Sequence, residues 1–336
     1  MKLEEVEYKD RDGNTRTRRE RIFGFPRFWD EDYYYFNAVE QAEIEGKHMA
    51  VLKSRQRGYS FKGASMLVRN YALIKGSQNF AVASEQKYLT GDGLLTKAWQ
   101  IMDFIDKHTE WAKQRLVGTR MERVSGFKVK DEYGKETEQG YMSRIAGITL
   151  KNDPERIRGT RGRLVLWEEG GKFPNLLTAW RIEQPAVETD DGKAFGLMIA
   201  FGTGGTEGGS FEGLKELFYK PEAYNVLSFP NIWDDKAEET RCGFFVPSWS
   251  NMEGTDVNGN QLMDKDGNSL KDLAIEELMR QRNKVKEGGA SQASIDRFIS
   301  ERPIKPQEAI LELGKNIFPR KLLMDQLTRI RTNKKL

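Results

Sequence analysis

One cysteine and two histidines are all that 336 residues supply of those two types. With Cys242 alone there is no internal disulfide, and a cysteine-rich zinc site cannot be built. His48 and His108 leave little room for a histidine-based triad or a multi-histidine metal centre. Long apolar runs are missing too: none approaches the roughly 20 residues that a membrane-spanning helix needs. The N-terminal Met1-Lys-Leu-Glu-Glu5 lacks the apolar core of a signal peptide. Charge is plentiful, at 31% of residues beside 38% hydrophobic ones, which is the composition of a globular chain rather than a disordered or membrane one. The length allows one large domain or two ordinary ones. Any chemistry must run on carboxylates, lysine, arginine, hydroxyls and backbone amides.

The net charge of +3 averages over uneven blocks. Residues 53–62 carry Lys53, Arg55, Arg57 and Lys62 without an acid. Residues 156–163 carry four arginines without an acid, and 320–336 carry six basic residues against Asp325. Residues 234–277 are acidic. Local basic blocks fit phosphate partners, while the near-zero total argues against a simple DNA-coating protein.

Residues 1–22 read as an arm or strand pair, followed by a block dense in aromatics up to Phe36. The pattern then predicts a helix over 37–45 and an apolar strand at 49–52. A helix over 60–74 and a second strand at 79–84 follow. Next come a long amphipathic helix over about 90–107 and strands within 121–150 around the turn at 131–134. A third apolar run, 163–167, ends at Glu168-Glu169. A helix over 175–187 leads to a fourth strand at 196–201. Short apolar strands alternating with helices predict a parallel sheet covered on both faces, with ligands at the strand carboxyl ends. From about 228 the character changes: 244–249 is strand-like, Asn258-Gly259 and Asp266-Gly267 signal turns, and 270–287 and 291–301 read as helices. These residues read as a smaller subdomain. Asp256, Asp264 and Asp266 fit hairpin tips better than a metal site.

Four short segments carry candidate chemistry. Lys53-Ser54-Arg55-Gln56-Arg57-Gly58-Tyr59-Ser60 joins a strand to a helix through a glycine turn. Backbone amides and a helix N-terminus there cradle a phosphate, and a hydroxyl can reach Mg²⁺. The usual loop reads G-x-x-x-x-G-K-[ST]. Here Ser54 stands where the first glycine is often found nearby, and Tyr59 stands where the lysine belongs. Lys53 reaches the phosphates from the strand end instead. Glu168 and Glu169 close an apolar strand, a layout that lets the first acid hold a metal and the second orient water. Arg158 and Arg161 lie just upstream of that strand and can stabilise charge on a transferring phosphoryl group. Thr203 sits in a hydroxyl-and-glycine strand end, Gly202-Thr-Gly-Gly-Thr206, able to sense a bound nucleotide.

In this order the segments resemble the ATPase part of a tailed-bacteriophage large terminase, the motor that packages double-stranded DNA into a procapsid. Lys53-Ser-x-x-x-Gly58-Tyr-Ser60 resembles the lambda-type loop, with its lysine in front, and Arg55-Gln56 resembles the commoner R-Q-x-G-K-[ST] form. Glu168 stands where the family has Asp, and Glu169 matches its catalytic glutamate. Arg158, or alternatively Arg161, falls where some members carry an arginine finger acting on a neighbouring subunit. Pro303-Ile-Lys-Pro306-Gln-Glu308-Ala309-Ile310, with Asn316-Ile-Phe318-Pro319 after it, resembles the segment that closes the ATPase region.

The resemblance covers about 25–320. It implies a P-loop, ASCE-type α/β sheet flanked by helices, with an arm at 1–22, the ATPase domain at 23–228 and a small C-terminal linker subdomain at 229–336. It implies ATP and Mg²⁺ as cofactors, with Ser60 and Glu168 on the metal. Asn37 is the positional candidate for an adenine contact, with Tyr35 or Phe36 stacking. The implied partners are double-stranded DNA, a portal protein, a small terminase subunit and copies of the chain in a ring. The resemblance also implies no membrane and a place of action in the host cytoplasm during virion assembly. Family members usually continue into a nuclease domain, which this chain is expected to lack. The competing readings are a helicase-like nucleic-acid-stimulated ATPase and a degenerate nucleotide-binding scaffold that does not hydrolyse.

Overall fold

A computed structural model describes residues 2–10, 12–22, 27–204, 211–234, 240–310 and 326. Thr206, the segment Asn316–Pro319 and nearly all of the basic tail lie outside them.

The chain opens with two antiparallel strands, β1 (Lys2–Lys9) and β2 (Thr15–Ile22). Helix α1 (Asp30–Glu45) follows, then β3 (Met49–Lys53), α2 (Tyr59–Leu73), β4 (Gln78–Ala83) and α3 (Leu94–His108). Next are β5 (Arg115–Gly118), β6 (Glu122–Ser125), β7 (Phe127–Lys130), β8 (Glu136–Gln139) and β9 (Arg144–Thr149). Strand β10 (Leu164–Glu168), α4 (Leu176–Val187), β11 (Leu197–Gly202) and α5 (Glu212–Tyr219) complete the central units. Strands β12 (Phe229–Pro230), β13 (Arg241–Cys242) and β14 (Phe244–Val246) lead to α6 (Lys271–Glu287), α7 (Gln292–Glu301) and α8 (Pro306–Ala309).

Eight strands form the central sheet in the order β14-β3-β11-β10-β4-β9-β6-β5. From β14 to β9 all neighbours run parallel; β6 and β5 extend that edge antiparallel. The parallel strands read as continuous apolar runs because both faces are covered. Val51, Leu166, Ile199 and Phe201 join the core under α1, α2 and α3, whereas Leu52, Trp167, Met198 and Ala200 join the core under α4 and α5. Among the described residues no helix is long and apolar enough to cross a membrane.

Two features depart from the sequence pattern. Helix α1 begins at Asp30, seven positions before the expected 37, because its aromatic block is split between solvent and core: Tyr33 and Tyr34 are exposed and Tyr35 is buried. The acids Asp30, Glu31 and Asp32 fill its first turn, where the helix dipole favours them, and Asp32 Oδ2 accepts from the Trp29 amide at 3.0 Å. The central sheet also continues past 228, since β14 pairs with β3 and so belongs to the sheet rather than to a separate unit.

Residues 254–269 form two tandem turns. Asp256 Oδ1 accepts from the amides of Asn258 and Asn260, and Asp264 Oδ1 accepts from those of Asp266 and Asn268. Bridges at Thr255–Gln261 and Met263–Ser269 make these acids hairpin-tip residues. Beyond them, buried Arg282 of α6 makes a forked pair with Glu308 of α8, at 2.8 and 2.7 Å. The glutamate of the closing segment thus ties α6 to α8.

Candidate functional site

Because β3, β11 and β10 are parallel neighbours, their carboxyl ends meet at one edge, and the expected residues sit there. Lys53 ends β3 and is buried, at 7% exposure. The loop then reverses through Gln56, at φ 60°, and Gly58, at φ 73°, before α2 starts at Tyr59. Gly58 meets nothing that a side chain would strike, so its requirement is the left-handed backbone itself.

Ser60, in the first turn of α2, donates to Glu168 Oε1 at 2.7 Å. Glu168 ends β10 at 5% exposure, and its Oε2 is buried without a partner among the described residues. Its carboxyl is pushed up to about 7, first by burial and then by neighbouring Glu169, against the Ser60 hydrogen bond and the charges of Lys53 and Lys97. Glu169 follows in the left-handed region, at φ 54° and ψ 52°. For a glutamate this conformation costs roughly 1–2 kcal/mol and turns the chain sharply off the strand. One hydroxyl and one carboxylate with a free buried oxygen form a hard-oxygen donor set of the kind Mg²⁺ takes together with water and phosphate oxygens.

Thr203 follows β11 and is buried. Its carbonyl lies 3.0 Å from where a side chain on Gly171 would begin, next to the turn that holds Glu169. A Cβ on Gly204 would lie 1.9 Å from the Ala309 carbonyl oxygen, so α8 rests directly on this strand end.

The loop is also fastened from outside. The Ser54 amide donates to the Val246 carbonyl at 3.0 Å. Arg55 binds Glu301 twice, through its amide at 3.1 Å and through its guanidinium at 2.8 Å. Arg57 donates to Ser54 Oγ at 3.1 Å, to the Asn251 carbonyl at 3.1 Å and to the Ser248 carbonyl. Burial lowers the Arg57 guanidinium to about 10. Asn251 is buried, and neither atom of its side-chain amide has a partner among the described residues.

Tyr59, at the lysine position of the usual loop, turns away from the phosphate side. It is buried, packs its ring 4.9 Å from that of Tyr35 and donates to Glu31. Lys62, one turn on, pairs with Glu31 and with Asp32, the latter at 2.8 Å. Burial raises the Glu31 carboxyl, and the Lys62 charge opposes that rise. The sequence alone did not reveal this network, because Glu31 lies 28 and 31 positions from its two partners. The only signal for it was the acid-rich start of a helix placed too late.

Other expected residues lie apart. Asn37 is exposed on α1, and Tyr35 is core rather than a stacking surface. Arg158 and Arg161 are exposed, and Arg158 pairs with Glu155 at 2.6 Å. Neither arginine makes a hydrogen bond or ion pair with Lys53, Ser60, Glu168 or Glu169.

One strand, β11, stands between the loop strand β3 and the acid strand β10, which defines an ASCE-type α/β sheet. The chain has the fold of a large-terminase ATPase domain. It is similar to the solved "Thermus Phage P74-26 Large Terminase ATPase domain" with a TM-score of 0.50 and 12% identity, over 81% of this chain and 97% of that one. A point mutant of that same Thermus phage domain gives a TM-score of 0.47 at 11% identity, over 81% and 98% of the two chains. The HK97 bacteriophage large terminase gives 0.44 at 13% identity, over 80% of this chain and 50% of that one. No protein-family model matches the sequence, and no curated protein is similar enough to count as a relative.

Proposed function

We propose that this chain is an ATP-hydrolysing motor of the large-terminase type, which moves double-stranded DNA. The observation that carries the reading is the meeting of Lys53, Ser60, Glu168 and Glu169 at one strand edge, with Ser60 bonded to Glu168 at 2.7 Å. Lys53 neutralises the β- and γ-phosphates. Ser60 and Glu168 hold Mg²⁺, which when bound offsets phosphate charge. Glu169 orients the attacking water. The site requires little covalent chemistry of the protein, so positioning and charge carry the reaction. The contact of Gly204 with α8, and those of Arg55 and Arg57 with residues 248–301, give the loop a route to move the C-terminal helices.

Arg158, exposed and outside the cluster, serves a neighbouring copy in this reading. Arg158→Ala mixed into wild type is then expected to depress activity beyond its molar share; loss in strict proportion to that share contradicts the role. The motor itself is tested by steady-state ATP hydrolysis with and without long duplex DNA. Mg²⁺-dependent turnover stimulated by duplex is expected. Stimulation by single strands alone favours a helicase-like ATPase, and no turnover at high protein concentration favours a non-hydrolysing scaffold.

A further inference from the structure

One cavity among the described residues lies away from the loop. It lies on the same edge of the sheet, at the carboxyl ends of the parallel neighbours β4 and β9, and measures about 630 Å³. Lys87, from the short turn after β4, lines it together with Thr149, Lys151 and Arg156. Met121 and Ile148 add apolar surface. Strand carboxyl ends are where parallel sheets take their ligands, yet none of Lys53, Ser60, Glu168 or Glu169 reaches this space.

Its charge is unbalanced. The one acid in the lining, Glu85, is paired with Lys87 at 2.9 Å. The side chains of Lys151 and Arg156 are exposed and have neither an ion pair nor a hydrogen bond among the described residues, which leaves two uncompensated positive charges. The backbone holds Lys151 in place: it turns at φ 53°, and its amide donates to the Ser84 carbonyl at 2.8 Å. Thr149 Oγ1 is buried without a partner among the described residues, and an unmade hydrogen bond of that kind costs roughly 1–3 kcal/mol. A lysine point charge, an arginine fork and an idle hydroxyl together call for an anion with several acceptor oxygens, and phosphate has that form.

We propose that this cavity is a second phosphate site, in which Lys151, Arg156 and Thr149 take a backbone phosphodiester of duplex DNA. The proposal rests on the motor reading and supplies a DNA contact for it. Phosphate contacts of this type position the duplex without reading its sequence.

The test is fluorescence anisotropy of a labelled duplex against salt, for wild type, Lys151→Ala, Arg156→Ala and the double variant. Lys128→Ala, an exposed charge on β7, is the control. Each lost phosphate contact lowers the slope of log affinity against log salt by about 0.9. The double variant removes that one phosphate contact and is therefore expected to lose about 0.9 units of slope and at least tenfold in affinity at low salt, while Lys128→Ala keeps the wild-type curve. Lys151→Ala alone should retain its ATP hydrolysis measured without DNA. Double-variant curves that overlie wild type overturn the site and leave the motor reading standing if duplex still stimulates hydrolysis. Inorganic pyrophosphate that displaces the duplex from wild type but not from the double variant supports the site. A Lys151→Ala protein that binds duplex normally and loses ATP binding assigns the cavity to free nucleotide and overturns the proposal. Wild-type protein that binds no duplex overturns both readings.

Discussion

On one face of the first turn of α2, Lys62 lies between the carboxylates of Glu31 and Asp32, and Tyr59 donates to Glu31. On the other face, Ser60 donates to one oxygen of Glu168, and the second oxygen is buried with no partner among the described residues. Both faces hold a buried glutamate beside a lysine. The first is closed: Lys62 bridges both acids and the Tyr59 hydroxyl is used. The second is half-finished, with a carboxyl held up to about 7 and a following residue in a costly backbone conformation. A closed network fixes structure, whereas an open one at a strand edge has capacity for a ligand. Tyr59, which replaces the usual loop lysine, belongs to the closed face, so the lysine left for phosphate is Lys53.

Substitutions separate the two faces, and the largest effect is expected on the closed one. Lys62→Met strands two buried acids and should lower stability by about 3–5 kcal/mol, as read by urea unfolding. A loss under 1 kcal/mol would mean that the network does not hold α1 to α2. On the open face, Glu169→Gln should cut steady-state hydrolysis at least a hundredfold, about 2.7 kcal/mol in barrier, with an unchanged unfolding midpoint. A parallel loss of stability would move Glu169 to the structural side of the comparison.

Glu183 sharpens the contrast. It is fully buried in α4, and both its oxygens lack hydrogen-bond partners among the described residues. Burial pushes it up to about 7, yet no lysine accompanies it at a strand end. The unfolded chain ionises near 4.5, so Glu183 costs nothing below that pH and destabilises increasingly as pH rises toward 7. Glu183→Gln should therefore leave the unfolding midpoint unchanged near pH 4 and stabilise the protein by about 1–3 kcal/mol at pH 8. Equal effects at both pH values would show that the fold does not raise this carboxyl above its ordinary value. An orphaned carboxyl alone does not make a site; its neighbours decide.

The parallel core was legible because burial on both faces leaves apolar runs such as Leu164–Trp167 that no other setting needs. The open face was legible for the same reason: strand ends converge in a parallel sheet, so Lys53, Ser60 and Glu168 could be placed together from their positions at strand carboxyl ends. The closed face was not, since its pairing depends on how α1 packs on α2 and on a helix start hidden in an aromatic block without a clean stripe. The membership of β14 was similarly hidden, because three residues carry no pattern that separates an edge strand from a loop. The Arg57 contacts join positions 191 and 194 residues apart, beyond the reach of any local motif.

The central claim is that Lys53, and not Lys62, serves the nucleotide, and calorimetric titration of Mg·ATP into single-lysine variants tests it most directly. Wild type and folded Lys62→Met should bind with similar affinity, while Lys53→Ala should bind at least tenfold more weakly, a difference of about 1.4 kcal/mol. Wild-type affinity in Lys53→Ala would contradict the account.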